Sequence, residues 1–389
     1  MLRRGEGRQA VATSIVGGPD AIVAVEAEWR RLLGAATRDE PFLHPAWIRI
    51  HLESFEPDAH VRLVCVRRAG RLVGILPLVE EEARWKGFPY RRLRSASGVH
   101  SCRFDLLAEE GEEEAAAEAI FEHLRALPGW DVIEIHDVPA GGSAERLLSR
   151  ADAAGFHVGT WESMRTPYVV LPASGGVEAL HGRLSSKFRA NLRRRRKRLA
   201  EGGAISFRRT ERADPAWLER FYRLEASGWK GRRGTAIAAD PRTRAFYDRI
   251  AAHAEAEGML AFYSLERDGE PVAMHFGLVH GGRYFLPKPA YDEAFASCSP
   301  GQLLMEDVLT DCIDRGLEVF DFLGPCMDWK LDWTDRVLPH RWCFIHRPNA
   351  RGRALYLARR RLGPWLARLR ERRGGGGRGS IGRTDRRGA

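Results

Sequence analysis

The chain has 389 residues, enough for about two domains, and its 44% hydrophobic and 29% charged residues are ordinary for a globular protein. The net charge of +10 does not mark a nucleic-acid binder: residues 351–389 hold 13 arginines against Glu371 and Asp385, and the other 350 residues sum to −1. No apolar run approaches the roughly 18 residues of a membrane span, and the opening MLRRGEGRQAVATSIVGG lacks the apolar stretch of a secretory signal.

In chain order, residues 1–19 are expected to be disordered. Helical periodicity then covers Ala21–Ala35, around Val25, Trp29, Leu32 and Leu33, and a second helix starts near Pro45 with Trp47, Ile48, Ile50 and Leu52. Val61–Val66 and Leu72–Val79 flank Ala69-Gly70 and read as a hairpin. A strand over Phe104–Leu107, a helix over 112–126, a strand over Val132–His136, a helix over Ala144–Ala154 and strands near Phe156–Thr160 and Tyr168–Leu171 complete a first domain, 20–172. The second domain, 173–347, opens with a basic helix, Leu184–Leu199. Strand Ile205–Arg208 and helices Pro215–Glu225 and Pro241–Glu257 follow. Then come a hairpin about Asp268-Gly269 (Leu260–Leu265, Pro271–Val279), strand Arg283–Lys288, a helix from Ser299 to about Arg315, and strand Val319–Leu323. Both stretches run αα, ββ, β, α, β. Residues 348–389 form a basic tail; 351–373 suit an amphipathic helix interrupted at Gly363-Pro364, and 374–389 suit disorder.

Four constellations could carry chemistry. In SPGQLLMEDVLTDCIDRG (299–316), Ser299 fits an N-cap and Pro300 the first helical position. The exposed N–H groups of that helix start suit a pyrophosphate, which Gly301 would let close; the alternative is a well-capped core helix. In VFDFLGPCMDWKLDW (319–333), Asp321 sits opposite two phenylalanines and Lys330 sits in apolar company. Such a lysine holds an anion or has an altered pKa, or merely snorkels. In LEASGWKGRRGTAIAADP (224–241), Glu225 could accept a proton, Trp229 could stack on a ligand and Lys230 adds charge; the alternative is a surface loop. Residues 183–198 hold nine Lys or Arg, including Lys187, Arg189 and Arg193–Arg196, on a helix whose inward stripe is Leu184, Phe188, Leu192 and Leu199. The cations are a solvated face, an anion site or an RNA site; the aromatics of a single-strand platform are missing.

His275, on the strand VAMHFGLV, faces a cleft or is a satisfied core residue. There is no GxSxG, Walker A or HExxH motif, residues 20–347 hold no GxGxxG, and the 13 His and 6 Cys form no cluster of metal-ligand spacing, so no metal is expected. The scattered cysteines read as free thiols in a reducing, cytoplasmic compartment.

The strings FLHPAW (42–47), LVGILPL (72–78), SSKFRANLRRRRKR (185–198), WKGRRGTAI (229–237), YDEAFASCSPGQLL (291–304) and DFLGPCMDWKLDW (321–333) resemble the CelD/BcsL-type, BioF2-like acetyltransferases of the GNAT superfamily. These are similar to the Fem-type peptidyltransferases, two GNAT folds in tandem. The resemblance covers roughly 20–347. It implies an α+β (α/β) chain of tandem GNAT-like folds, each a mixed, mostly antiparallel sheet flanked by helices. In that fold two parallel strands splay and the donor's pantetheine lies between them, here between Arg283–Lys288 and Val319–Leu323. The acidic start of the corresponding first-half helix, EEGEEE (109–114), would repel a phosphate, which implies a degenerate first half that shapes the acceptor groove. The usual GNAT coenzyme loop is missing, and SPGQ is a partial substitute.

The resemblance thus implies an acyltransferase using acetyl-CoA or another acyl-CoA on an amine or sugar acceptor of envelope or exopolysaccharide type. Ser299, Gly301, Gln302 and Lys288 would hold the donor. Lys330 would stabilise charge, Glu225 or His275 would relay a proton, Tyr291 would protonate the thiolate, and Asp321 completes the candidate catalytic set. Trp229, Lys230, Lys187, Arg189 and Arg193 would bind the acceptor. The basic tail would touch the inner membrane face. Two other readings stay open: a Fem-like transferase whose donor is aminoacyl-tRNA, and a non-catalytic protein that binds an envelope precursor.

Overall fold

The computed structural model describes residues 11–18 and 20–362; the side chains of Trp229, Lys230, Arg361 and Leu362 lie outside that description. The first half runs β1 (Val11–Gly17), α1 (Ala21–Leu33), α2 (Pro45–Phe55), β2 (His60–Arg68), β3 (Arg71–Trp85), β4 (Phe88–Ser95), β5 (Leu107–Ala108), α3 (Glu113–Ala126), β6 (Val132–Pro139), α4 (Ser143–Ala153) and β7 (His157–Val170). The second runs α5 (Gly176–Arg183), α6 (Ser186–Ala200), β8 (Ile205–Thr210), α7 (Pro215–Ser227), α8 (Trp229–Arg232), α9 (Pro241–Ala256), β9 (Leu260–Arg267), β10 (Glu270–His280), β11 (Arg283–Tyr291), α10 (Pro300–Asp314), β12 (Val319–Asp321), α11 (Asp328–Leu331), β13 (Val337–His346) and α12 (Ala350–Leu357).

Local chemistry explains many of the boundaries. Helices α2, α7 and α9 each begin with proline behind a capping side chain, where His44, Asp214 or Asp240 accepts a backbone N–H. The hairpins turn on pairs that both take positive φ: Ala69-Gly70, Lys86-Gly87, Asp268-Gly269 and Gly281-Gly282. Such pairs match the twist of the flanking strands.

All strands join one sheet in the order β1-β2-β3-β4-β6-β13-β7-β12-β11-β10-β9-β8, with β5 beside β3. Two neighbouring pairs are parallel, one per half: β4 with β6 over Arg92–Arg94, and β11 with β12 over Arg283–Phe285. Strand β13 returns from the end of the second half to lie between β6 and β7 of the first. One large core fills the first half, a small one of Tyr90, Val132 and Leu355 lies beneath α12, and two cores cover the faces of the second-half sheet. The core beneath α7 and α9 also takes in Phe42, Trp47 and Ile50 from the first half.

Several expectations need correction. Residues 11–17, assigned to a disordered terminus, form β1 against β2. The strand placed at Phe104–Leu107 is only Leu107–Ala108, and the strand that pairs with β6 is the arginine-rich β4. The two strands near Phe156–Thr160 and Tyr168–Leu171 are one, β7, because β13 pairs along residues 157–167 and β12 along 168–170. The basic tail is helical as α12 and a short π-helical turn, Ala358–Leu362; Gly363-Pro364 and everything beyond lie outside the described residues.

Candidate active site

Strands β11 and β12 stay paired only as far as Phe285 and Asp321. Beyond that point β11 follows β10 to Tyr291, while the other chain turns through Leu323 and Gly324, both at positive φ (48° and 61°). The divergence opens a gap in the second-half sheet. The equivalent point in the first half is bridged, since the Ser95 hydroxyl accepts the His136 N–H at 3.2 Å. The glutamates around the start of α3 are also engaged there: Glu112 with Arg68, Glu113 with Thr37, and Glu114 with Arg146 and Arg150.

Lys330, on α11, sits against the Leu323–Pro325 turn on the β12 side of the mouth of the gap. It is 5% exposed, and its Nζ donates to Leu323 O at 2.6 Å and Pro325 O at 2.9 Å. Burial lowers its pKa to about 8, against the opposing pull of Asp321. Asp321 is not a free carboxylate. Its Oδ1 accepts the Leu323 N–H at 2.9 Å, and its Oδ2 pairs with the Arg103 guanidinium, which also donates to Glu40 at 3.1 Å and to His340 at 3.2 Å. Arg103, Glu40 and His340 are all buried. Burial holds the His340 pKa at about 3, so the ring is neutral and its Nε2 can accept from Arg103. Breaking a buried pair of this kind by removing one partner costs about 3–5 kcal/mol.

The start of α10 differs from a capped helix. Ser299 sits at its N-cap with φ 46°, its side chain makes no cap hydrogen bond, and its hydroxyl turns back to Ala296 O. A Cβ on Gly301 would meet only the Tyr291 ring, at 3.7 Å, so the protein itself does not require glycine there. Gln302 is occupied within the fold: its Nε2 donates to Trp329 O at 3.0 Å and its Oε1 accepts from Trp333 Nε1 at 2.6 Å. It clamps α11, and hence Lys330, to the start of α10.

The remaining candidates separate. Glu225 is buried on α7, accepts the Ile237 N–H at 2.7 Å, and lines a small pocket with Gly228, Pro289, Ala290, Tyr291 and Glu293. Lys288, past the split on β11, lies over the Tyr247 ring at 5.4 Å. Its charge helps lower the pKa of first-half His100 to about 4, after burial. His275 does not face a cleft. It alternates with Met274 and Phe276, which pack under α7 and α9, and so faces the opposite core; it is 1% exposed, burial lowers its pKa to about 3, and its Nδ1 has no partner among the described residues. On α6, Lys187 and Arg193 are exposed, Arg189 is half-buried, and Arg196 is engaged by Glu306 and Asp307 of α10. Trp229 and Lys230 form part of α8, but their side chains lie outside the description.

Sequence reasoning missed Arg103, Glu40 and His340. The one local signal was an arginine between Cys102 and Phe104, two residues before Asp105. Among the described residues, no group of three or more His, Cys, Asp or Glu is placed to hold a metal, and no helix is long and apolar enough to cross a membrane.

Residues 186–331 match the family model of the acetyltransferase (GNAT) domain. No curated protein matches the chain. Among solved structures, FemX is similar at 13% identity and TM-score 0.57, over 82% of this chain and 95% of that one. The C-terminal domain of a candidate lysylphosphatidylglycerol synthetase from Agrobacterium fabrum is similar at 14% identity and TM-score 0.53, over 93% and 100%. A protein of unknown function from Bacteroides thetaiotaomicron reaches TM-score 0.50 at 11% identity, over 86% and 100%. At these identities the structures show the fold, which is GNAT-like and α+β. The matched region is a GNAT-type acyltransferase domain, which works on a small-molecule acyl donor and an acceptor.

Proposed function

We propose that the chain transfers an acyl group from an acyl-CoA thioester to an amine or sugar hydroxyl, by direct attack in a ternary complex, within the CelD/BcsL-type branch of the GNAT superfamily. The observation that carries this reading is the split between β11 and β12, with the start of α10 at one side and Lys330 at its mouth. The thioester lies in the gap, and its phosphates lie at the start of α10 near Ser299 and Gly301, with Lys288 adding charge. The acceptor nitrogen or oxygen attacks the carbonyl carbon, the carbonyl oxygen takes the negative charge, and the carbon–sulfur bond breaks. Lys330 has three N–H groups, two of them donated to Leu323 and Pro325; the third serves the developing charge. Glu225, beside the pocket at Pro289–Tyr291, relays the acceptor proton, a contribution of about 10²–10⁴-fold. Tyr291 returns a proton to the thiolate. The acceptor is an envelope or exopolysaccharide precursor, guided by Lys187, Arg189, Arg193, Trp229 and Lys230, and the first half shapes its groove. The work takes place in the cytoplasm, with the basic tail against the anionic inner leaflet, each cation adding about 1 kcal/mol.

A thermal-shift titration with acetyl-CoA, a long-chain acyl-CoA and free CoA tests the donor. A ligand at 100 times its Kd adds about 2.7 kcal/mol to stability, several degrees for a protein of this size. A shift with one thioester supports the reading, and no shift with any of them removes coenzyme A. A folded Lys330→Ala protein with unchanged turnover removes the lysine from the mechanism. The exposed cations of α6, Lys187, Arg193, Arg194 and Lys197, favour a second reading in which the donor is an aminoacyl-tRNA. Strongly salt-dependent tRNA binding alongside silence toward CoA would select it.

A further inference from the structure

Arg103 enters from the loop after β4 of the first half and is 2% exposed. It meets three other segments. Glu40 precedes α2, Asp321 ends β12, and His340 lies on β13, where its second ring nitrogen is 3.4 Å from the Thr166 hydroxyl of β7. Glu40 is also 3.8 Å from Arg283, the first residue of β11. The cluster therefore touches both strands that diverge to make the gap: β12 at Asp321, the last residue before they part, and β11 at Arg283, where the two are still paired.

Asp321 connects this cluster to the mouth of the gap. One of its oxygens is held by Arg103 and the other accepts the N–H of Leu323, whose carbonyl accepts from Lys330. Leu323 takes a left-handed backbone that disfavours a branched side chain, and Gly324 follows in the same region. Such a turn persists where its surroundings determine it. Here the N–H is fixed from one side by Asp321 and the C=O from the other by Lys330. We infer that Arg103 is a positioning residue for the candidate site, fixing Asp321 across the interface of the two halves and, through Asp321, the Leu323–Gly324 turn and Lys330. The importance for acyl transfer rests on the proposed function; the linkage itself does not.

The groups that act on the Lys330 charge are Asp321 on β12, Cys326 on its own loop and Cys102 beside Arg103. Asp321 favours the charged lysine, and Arg103 offsets Asp321. The two substitutions therefore act in opposite directions. Asp321→Asn keeps an acceptor for Leu323 but removes the charge, and should lower the Lys330 pKa. Arg103→Met leaves Asp321 uncompensated and should raise it. The chain has six lysines, so lysine-selective 13C and 15N labelling, with Lys→Arg assignment, allows Lys330 to be titrated by NMR in the full-length protein. Glu40→Gln replaces Arg103→Met if the latter does not fold. It leaves Arg103 to Asp321 alone and should move the Lys330 pKa down. The expected result is these signs, accompanied by changed amide shifts at Leu323 and Gly324. A Lys330 titration unmoved by Asp321→Asn in a folded protein, or shifts of the same sign for Asp321→Asn and Arg103→Met, would overturn the inference. The titration needs no turnover, so a protein inactive with every acyl-CoA but showing these shifts would fail the proposed function and keep the linkage.

Discussion

Replacing Gln302 by leucine removes both hydrogen bonds of the clamp between the start of α10 and α11. The Trp333 indole, 3% exposed, loses the acceptor 2.6 Å from its N–H, and the Trp329 carbonyl loses its donor at 3.0 Å. A net hydrogen bond is worth about 1 kcal/mol, and a buried donor left unpaired costs about 1–3 kcal/mol, so Gln302→Leu should cost about 2–4 kcal/mol. Each kcal/mol lowers Tm by about 2–4 °C in a domain of this size, which predicts a fall of about 5–15 °C. Gln302→Glu keeps the acceptor for Trp333 and should lose about 1 kcal/mol. Thermal melts followed by tryptophan fluorescence and by far-UV circular dichroism measure both variants. The alternative is that Gln302 binds the donor directly. It predicts that the leucine variant melts with the wild type and loses only affinity for acyl-CoA. A leucine variant within about 1 °C of wild type would refute the clamp.

Gly301→Ala should leave stability unchanged or raise it by about 0.5–1 kcal/mol, because the added Cβ meets only the Tyr291 ring at 3.7 Å; if phosphates approach that turn, calorimetric acyl-CoA affinity should fall. Gly277→Ala should behave oppositely, since its Cβ would lie 2.0 Å from the buried Tyr284 hydroxyl; a loss of about 1–3 kcal/mol is expected in a urea melt. His275→Leu should leave the pH–rate profile unchanged and stability equal or higher, since it replaces a buried neutral ring whose Nδ1 lacks a partner; a displaced profile would return His275 to the mechanism. Burial lowers the pKa of His44, His100, His275, His340 and His346 to between about 3 and about 4. The unfolded chain binds these protons first, so stability is present above pH about 6.5 and is lost as pH falls toward 4. The loss is about 1.4 kcal/mol per pH unit per histidine, readable in melts at stepped pH.

Elements with a local cause were legible in the sequence, and those with a distant cause were not. Helices opening on a cap and proline, and hairpins turning on Asp268-Gly269 or Ala69-Gly70, carry their signal within a few residues. Strand β4, FPYRRLRS, does not read as a sheet segment because its arginines are balanced from elsewhere: Arg92 by Glu81 and Glu134, and Arg94 by Glu56 and Glu81. Strand β13 has a proline and an arginine in mid-run, and its partners lie nearly 200 residues earlier. The same division holds at the site. Asp321 and Lys330 stood out as charges in one apolar string, and their mutual influence follows from that string. The partners that determine what Asp321 does come from Glu40, Arg103 and His340, which no spacing connects. Gln302 stood out by its position at a helix start, which suggested donor binding. Its hydrogen bonds to Trp329 and Trp333, which tie the start of α10 to α11, depend on a segment about 30 residues further on and were not visible.

The placement of β13 has a consequence for biosynthesis. Strands β6 and β7 of the first half are separated in the finished sheet by residues 337–346. A ribosome that has released the first 172 residues has therefore made a half whose two neighbouring edges stay unpaired until nearly the whole remaining chain emerges. Exposed strand edges recruit other strands, and long-range pairings of this kind form slowly. The nascent protein should thus be most vulnerable to aggregation and most dependent on chaperones during synthesis of the second half. Residues 1–172 expressed alone, with β1 retained, should be insoluble unless a peptide of residues 337–346 is supplied.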